Sequence, residues 1–334
     1  MSSPMIYHRS AEFKNLFQEV VSFLQQFLKT KNMIFLSTSS ATGLMEAAVR
    51  NCVHRKALFL NCGAFGERWK SIALSCEKEI DSLDVSWGSG IKIDKLEEAL
   101  KNNNYEAVFL VHNESSTGVM NHLGAIANVL KHYPEALFIV DTVSSAFGTN
   151  LEVDTLGIDV CIFGVQKALA VPPGMAIATI GEKALAKAAL CKNRGYYFDF
   201  IEAQKNFQNG FTTTTPSISH CFALKQSLLT IQKEGLEKRI VRHLEMANFT
   251  RKWAQEYFDI FTDKDFLSPT ITCVKNTRNI NIEALNRYLE ERGFIIANGY
   301  GKIKDTTFRI GHMGEHTLTD VQKLLELITK YVKK

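Results

Sequence analysis

The sequence LFIVDTVSS, residues 137–145, carries four consecutive apolar residues that end at an aspartate and a polar turn. A continuous apolar run, unlike an alternating one, is typical of a strand that is covered on both faces of a parallel sheet. Further runs of this kind are MIFLS, ALFL, AVFLV and DVCIFG, at residues 33–37, 57–60, 107–111 and 159–164. The pattern therefore predicts a set of buried, parallel strands.

Helical segments separate these strands. Apolar residues recur at helical spacing in GLMEAAVRNCV, ERWKSIALSC, IDKLEEALKN and LGAIANVLKHY, at residues 43–53, 67–76, 93–102 and 123–133. Alternation of strand and helix predicts an α/β fold with right-handed crossovers and an open, mostly parallel, doubly wound sheet. Ligands of such sheets bind beyond the carboxyl ends of the strands.

The pattern changes after residue 221, so we predict a large domain over residues 1–221 and a second part over residues 222–334. The second part is predicted to start with one long linking helix that continues to about residue 258 and to end in a smaller α/β domain. The strands expected there are TITCV, FIIA and TFRIG, followed by a final helix from Thr317. The basic segment KEGLEKRIVRH, residues 233–243, is predicted to be a solvated helix face.

Composition excludes several classes of function. The net charge of +4 is small for 334 residues and the basic residues are scattered, which argues against nucleic acid or a membrane as a partner. The seven cysteines include no C-x-x-C pair, so neither a metal site nor a thioredoxin-like redox role is expected. No signal pattern and no apolar run of about 20 residues is visible, which predicts a cytoplasmic protein.

Three features follow predicted strands. TSSATG, residues 38–43, leads into a helix, where its amide groups could bind an anion or its hydroxyls could cap the helix. Asp141 either caps the next turn or pairs with a cationic ligand atom. Lys167 either reaches water or presents its amine for chemistry, because an unpaired buried ammonium is costly. We expect all three at the same edge of the sheet.

An anion cradle, a buried carboxylate and a lysine together meet the needs of pyridoxal 5′-phosphate. The cradle takes the phosphate, the carboxylate keeps the pyridine nitrogen protonated, and the lysine forms a Schiff base. The ordinary lysine pKa of about 10.4 makes the amine a poor nucleophile at neutral pH, so such a site has to lower the pKa of Lys167.

Four ordered motifs are VHNESSTGV, VDTVSSAFG, GVQKALAVPPG and FRIGHMG, at residues 111–119, 140–148, 164–174 and 308–314. With them the sequence resembles the class V aminotransferases of the fold-type I PLP enzymes, nearest to the serine–pyruvate, alanine–glyoxylate and aspartate aminotransferase group. The resemblance covers essentially the whole chain and implies a homodimer with active sites at the subunit interface. Members usually begin earlier, with a segment that helps to close the substrate pocket, so we expect the N-terminal part of the large domain to be short.

The resemblance implies a role for each matching residue. Lys167 matches the Schiff-base lysine, Asp141 the carboxylate at the pyridine nitrogen, and Arg309 the arginine that binds the substrate α-carboxylate. The remaining matches are cofactor-binding positions: Ser40, Ala41 and Thr42 at the phosphate, Phe65 stacked on the ring, Ser115 and Val143 beside the ring, Gln166 near the phosphate, and Thr212 and Thr214, which the family lends to the neighbouring subunit's phosphate.

The implied activity is that of a PLP-dependent aminotransferase with a ping-pong mechanism. We expect alanine or serine as the amino donor and a 2-oxo acid such as glyoxylate or pyruvate as the acceptor. Aspartate follows as a donor, because no second arginine for a side-chain carboxylate is identifiable from the sequence. The alternatives are a cysteine desulfurase-like or other PLP lyase, although Gln166 stands where desulfurases usually have histidine, and a non-catalytic relative of the fold.

Overall fold

A computed structural model describes residues 4–101 and 103–333 of the chain. The strands in chain order are β1 (Met33–Ser37), β2 (Lys56–Asn61), β3 (Glu79–Asp84), β4 (Ala107–Val111), β5 (Asn113–Glu114), β6 (Val119–Met120), β7 (Leu137–Asp141), β8 (Val160–Gly164), β9 (Ala176–Ile180), β10 (Asp259–Ile260), β11 (Ile271–Lys275), β12 (Ala297–Asn298) and β13 (Thr307–Gly311).

The helices cover both faces of the main sheet and the outside of a smaller one. In chain order they are α1 (Ala11–Leu28), α2 (Ala41–Cys52), α3 (Ala64–Ser75), α4 (Ile93–Lys101), α5 (Leu123–Leu130), α6 (Glu182–Leu190), α7 (Phe200–Gln208), α8 (Ile218–Glu234), α9 (Leu236–Tyr257), α10 (Ile282–Glu290) and α11 (Leu318–Val332). None of these helices is long and apolar enough to cross a membrane.

The main sheet has seven strands in the order β1-β9-β8-β7-β4-β2-β3. Neighbours from β8 to β3 pair in parallel, whereas β9 is antiparallel to both β8 and β1. The predicted mostly parallel sheet is therefore confirmed, and so are all five of the strands named from their apolar runs. Sequence reasoning missed β3, because this edge strand is polar and partly exposed, and it also missed β9, although β9 is fully buried.

Both faces of the sheet are buried, as continuous apolar strands require. In β1, Ile34 and Leu36 pack into the core on one face, while Met33 and Phe35 pack into the core on the other. This alternation follows from the two-residue period of a strand. The sheet is thus held rigidly between two helical layers, and its carboxyl edge is a firm support for side chains that project from it.

The smaller C-terminal sheet has four antiparallel strands in the order β10-β11-β13-β12. It has its own core, to which Phe308, Leu285 and Leu325 contribute. The predicted strand FIIA is wrong in extent, because only Ala297 and its successor pair with β13. Ile295 is 72% exposed, so the apolar run in FIIA does not reflect a buried strand.

The predicted long linking helix is two helices. Gly235 separates α8 from α9 with φ = 86°, a backbone conformation that favours glycine because a Cβ atom there is strained. The solvated face predicted for residues 233–243 is wrong as well, since Arg239 and His243 are fully buried. The reason is a polar network at the start of α9, in which the Arg239 guanidinium donates hydrogen bonds to the Ala168 carbonyl and to Glu315, at 2.7 and 2.8 Å.

The division of the chain at residue 221 stays a prediction. Residue 221 lies inside α8, and Leu224, Leu228 and Ile231 of that helix belong to the same core as Phe13 of α1. This packing favours a boundary nearer to Gly235, where the chain changes direction.

Candidate active site

A pocket of about 250 Å³ opens at the carboxyl ends of β1, β4, β7 and β8. Nine of the residues named from the sequence line it: Ser40, Ala41, Thr42, Phe65, Ser115, Asp141, Val143, Gln166 and Lys167. The strands bring these residues together because each one lies on a segment that follows a strand of the same sheet, or at that strand's end.

The start of α2 forms one end of the pocket. Ser40 is the N-cap residue with an extended backbone, φ −79° and ψ 163°, and its hydroxyl makes no capping hydrogen bond. The sequence left open whether TSSATG binds an anion or caps the helix through a hydroxyl, and hydroxyl capping is not observed at Ser40. The first amide groups of a helix point along its axis and carry the positive end of the helix dipole. Those of α2 are arranged to bind an anion in the pocket.

Asp141 is the last residue of β7 and is 4% exposed. Its Oδ1 accepts a hydrogen bond of 2.7 Å from the Val143 amide, but it forms no salt bridge with any described residue. Burial raises the pKa of Asp141 to about 7, with Glu114 adding to this effect and Lys167 and Arg68 opposing it. The predicted cap of the next turn is confirmed by the bond from Val143, and the pairing of Asp141 with a cationic ligand atom stays a prediction.

Lys167 lies in a tight loop after β8. The Ala170 amide donates to the Lys167 carbonyl at 2.9 Å, and the Val171 amide donates to the Val165 carbonyl at 3.0 Å. Burial lowers the pKa of the Lys167 amine and the charge of Arg309 lowers it further, while Asp141 acts in the opposite direction. A lysine in this setting has a larger neutral fraction than a lysine in water, as nucleophilic or basic chemistry requires.

Phe65 is held in place by a fully buried glutamate. Oε2 of Glu114 accepts hydrogen bonds from the amides of Phe65 and Gly66 at 3.0 and 3.1 Å, and Oε1 accepts one from the Ser116 amide at 3.1 Å. Gly63 is needed for this approach, because a Cβ atom there would lie 2.4 Å from Cγ of Glu114. Glu114 therefore fixes the start of α3, and with it the ring of Phe65 at the pocket.

Arg309 lies in the middle of β13. Its neighbours Phe308 and Ile310 are buried in the small core, so the guanidinium points to the opposite side of the strand. Nη1 of Arg309 donates to the Ser115 carbonyl and Nε to the Asn298 carbonyl, both at 3.1 Å. In the described part of the chain, Nη2 makes no hydrogen bond, which leaves donors for a ligand.

Thr212 and Thr214 do not line the pocket of their own chain. The hydroxyl of Thr212 donates to the Thr214 carbonyl at 2.8 Å. The amide of Ser217, just beyond the run of threonines, donates to Oγ1 of Thr38 at 3.0 Å, which places the segment beside the loop that leads to α2. A role for these threonines toward a neighbouring subunit stays a prediction.

Arg68 and Asn113 also line the pocket and were not identified as site residues from the sequence. Arg68 lies in α3 three residues after Phe65, a spacing that puts both side chains on one helix face, and this signal was available in GAFGERW. Asn113 lies within the polar cluster that follows β4 and donates to the Ser144 carbonyl at 2.8 Å.

The pocket fits pyridoxal 5′-phosphate. The helix start suits the phosphate, the unpaired Asp141 suits a protonated pyridine nitrogen, Phe65 offers a ring face, and Lys167 offers an amine with a lowered pKa. Among residues 4–101 and 103–333, no group of three or more His, Cys, Asp or Glu side chains is placed to hold a metal ion.

Comparison with known proteins agrees with this arrangement. Residues 2–324 match the family model described as aminotransferase class-V. The chain is 36% identical to an uncharacterised aminotransferase of Methanocaldococcus jannaschii, over 94% of this chain and 83% of that one. It is 30% identical to the serine–glyoxylate aminotransferase of Methylorubrum extorquens, over 92% and 80%. An aspartate aminotransferase of subgroup IV from Thermus thermophilus superposes with a TM-score of 0.91 at 25% identity, over 99% of this chain and 94% of that one.

Proposed function

Because this chain belongs to the class V aminotransferases, we propose that it transfers the amino group of a small amino acid to a 2-oxo acid by a ping-pong mechanism. It is a transaminase that uses pyridoxal 5′-phosphate. The observation that carries the proposal is that Lys167, Asp141 and the start of α2 line one pocket. An amine that shares a pocket with a carboxylate for the pyridine nitrogen and a helix start for the phosphate is placed to act on the cofactor and on a substrate beside it.

The cofactor, when bound, supplies an electron-withdrawing pyridine ring that accepts the charge developing at the substrate Cα atom. Asp141 would hold the proton on the pyridine nitrogen, and the nitrogen's positive charge would keep Asp141 ionised despite its burial. The amide groups at Ala41 and Thr42 would bind the phosphate, assisted by the dipole of α2.

Lys167 has two tasks in this proposal. Its amine would hold the cofactor while no substrate is bound. With a substrate bound, Nζ would act as a general base, and its lowered pKa would leave it neutral often enough to remove the proton from the substrate Cα atom and to hold that proton for its return.

Arg309 would orient the substrate. The guanidinium is held by the Ser115 and Asn298 carbonyls, so its free donors have a fixed direction. Its bonds to the α-carboxylate would hold the Cα–H bond near perpendicular to the cofactor ring, the orientation in which its electrons can enter the π-system.

The proposed donors are alanine, serine and aspartate, and the proposed acceptors are glyoxylate and pyruvate. The relative from M. extorquens, named a serine–glyoxylate aminotransferase, supports serine, and the T. thermophilus structure, named an aspartate aminotransferase, supports aspartate. A desulfurase-like reaction is less well supported, because no cysteine is among the residues that line the pocket.

The proposed assembly is a homodimer in the cytoplasm. In this assembly, Thr212 and Thr214 of one chain would reach the phosphate of the other. Two consecutive exposed aromatic residues, Tyr196 and Tyr197, support a contact surface beside this segment, because the Tyr197 hydroxyl donates to the Thr38 carbonyl and the Ser217 amide donates to Oγ1 of Thr38. The seven free cysteines support a reducing compartment.

Half-reactions test the proposed function directly. The cofactor-loaded protein is mixed with single amino acids without an acceptor, and the visible absorbance of the cofactor is followed. We expect alanine, serine or aspartate to abolish this absorbance and a 2-oxo acid to restore it. If every amino acid leaves the absorbance unchanged, or if a reacting amino acid loses its side chain instead of yielding a 2-oxo acid, the proposal is wrong.

A further inference from the structure

Arg68 lies in the active-site pocket, whereas Arg309 reaches its edge, where Nη1 donates to the carbonyl of the lining residue Ser115. Arg68 projects from the first turns of α3 into the pocket that also contains Asp141 and Lys167. Its guanidinium carbon lies 4.9 Å from the ring centroid of Phe65. The Arg68 charge acts inside the site, since it lowers the pKa of Asp141 against the larger effect of burial.

Arg68 has no acidic partner among the described residues. Its one hydrogen bond runs from Nη2 to the Tyr300 hydroxyl, at 2.8 Å, and a phenol does not neutralise a guanidinium. The remaining N–H groups of Arg68 are therefore free to bind a ligand. A partly buried guanidinium in a pocket, with most of its donors unused, is suited to a planar anion such as a carboxylate.

When the charges of the site are paired, one cation is left without a matching anion. Asp141 is matched by the pyridine nitrogen of the cofactor, the start of α2 by the phosphate, and Arg309 by the α-carboxylate of the substrate. Arg68 is the cation that remains, and an unmatched charge on a half-buried side chain is costly.

Tyr300 connects the two arginines. Its hydroxyl accepts the hydrogen bond from Arg68, while the guanidinium carbon of Arg309 lies 5.6 Å from its ring centroid. The rings of Phe65 and Tyr300 are 5.6 Å apart, centroid to centroid, and form one aromatic wall. Because both arginines contact Tyr300, their guanidinium groups lie near each other, and each can bind one end of a short dianion.

We propose that Arg68 binds the side-chain carboxylate of the amino donor and that the donor is a short dicarboxylic amino acid, namely aspartate, in preference to alanine or serine. This inference rests on the proposed function and reverses the order of donors predicted from the sequence, in which no second arginine could be identified. Arg68 is a specificity-determining residue in this account.

A purely structural role for Arg68 predicts a different outcome. If the guanidinium only packs on Phe65 and holds Tyr300, its loss lowers activity with every donor alike. The informative quantity is therefore the ratio of kcat/KM for aspartate to kcat/KM for alanine. Arg68→Met should lower this ratio on the order of 100-fold, because a carboxylate loses its charged partner in the pocket. Arg68→Lys should lower it less, since the charge stays while the planar fork is lost.

Two further variants separate position from charge. Tyr300→Phe removes the hydroxyl that orients Arg68 but keeps the aromatic wall, so the ratio should fall by less than in Arg68→Met. Arg55→Met, on an exposed side chain outside the pocket, is the matched control for loss of an arginine and should leave the ratio unchanged.

A binding measurement gives a readout apart from turnover. Succinate and propionate, which have the same apolar spacer but two carboxylates and one, are titrated into the cofactor-loaded protein by calorimetry. Wild type should bind succinate at least tenfold more tightly than propionate, and Arg68→Met should lose this preference. Equal affinities in wild type, or a preference that survives in Arg68→Met, would overturn the proposal.

Failure of this proposal can be distinguished from failure of the proposed function. If wild type converts alanine or serine better than aspartate, and Arg68→Met leaves the ratio unchanged, transamination stands and the role of Arg68 is wrong. If wild type converts no amino acid at all, the proposed function fails and the role of Arg68 fails with it.

Discussion

The buried carboxylate of Asp141 makes the stability of the cofactor-free protein depend on pH. Burial raises its pKa from 3.8 to about 7, so the group is protonated in the folded protein at pH values where it is ionised in the unfolded chain. At about 1.36 kcal/mol per pH unit, ionising Asp141 is about 4 kcal/mol less favourable in the folded protein than in the unfolded chain. Because the pKa of Asp141 is higher in the folded protein than in the unfolded chain, its contribution to the free energy of unfolding is fully present below about pH 4 and is lost as the pH rises to about 7.

Asp141→Asn isolates this contribution, because asparagine is nearly the same size and does not titrate. Urea unfolding of both cofactor-free proteins is measured at equal concentration at pH 5, 6.5, 7.5 and 8.5. Relative to Asp141→Asn, wild type should lose about 2 kcal/mol between pH 5 and 6.5 and little more above pH 7.5. Loading wild type with cofactor should remove most of this dependence, because the protonated pyridine nitrogen keeps Asp141 ionised.

Two results would refute the reasoning. Parallel pH profiles for wild type and Asp141→Asn would mean that Asp141 titrates near its ordinary pKa and is not held as an unpaired buried carboxylate. A wild type that gains stability relative to the variant as the pH rises would mean that a cation in the cofactor-free protein already pairs with it.

Three further predictions concern the surroundings of the site. Arg309→Lys keeps the charge but loses the planar fork, so steady-state kinetics should show lower affinity and turnover with a normal cofactor absorbance; loss of the cofactor itself would contradict the role assigned to Arg309. In Glu114→Gln, a side-chain amide replaces the carboxylate that accepts hydrogen bonds from the backbone amides of Phe65 and Gly66. The free energy of unfolding in urea titrations should therefore fall by about 1–3 kcal/mol. An unchanged urea midpoint would argue against these two contacts. In Gly235→Ala the added Cβ atom has no neighbour within 4 Å, so a loss of stability would come from the positive φ alone. We expect the free energy of unfolding to fall by about 1–2 kcal/mol in the same assay. A more stable variant would contradict the break between α8 and α9.

The sequence predicts most strands of the main sheet and nine residues that line the pocket, for a physical reason. Strands covered on both faces are continuous apolar runs, so β1, β2, β4, β7 and β8 are visible in the sequence, and the polar residues that follow them must meet at one edge. Asp141 and Lys167 could be found because Asp141 is the last residue of such a strand and Lys167 lies a few residues beyond the end of another.

Other features were missed because they depend on contacts between residues that lie far apart in the sequence. Arg239 and His243 have the composition of a solvated helix face, and only the turn at Gly235 places them in a buried network. Arg68 lies three residues after Phe65, but its contact with Tyr300 joins segments that lie far apart in the chain. A single sequence carries no sign of such pairings.

The identity of the lysine that carries the cofactor tests the central claim most directly. The cofactor-loaded protein is reduced with sodium borohydride, which fixes the cofactor to the amine that holds it, and the digested protein is examined by mass spectrometry. We predict the added mass on the peptide that contains Lys167, and its loss in Lys167→Ala, which should still bind the cofactor through the start of α2. The same added mass on a different lysine of the wild-type protein would contradict the account.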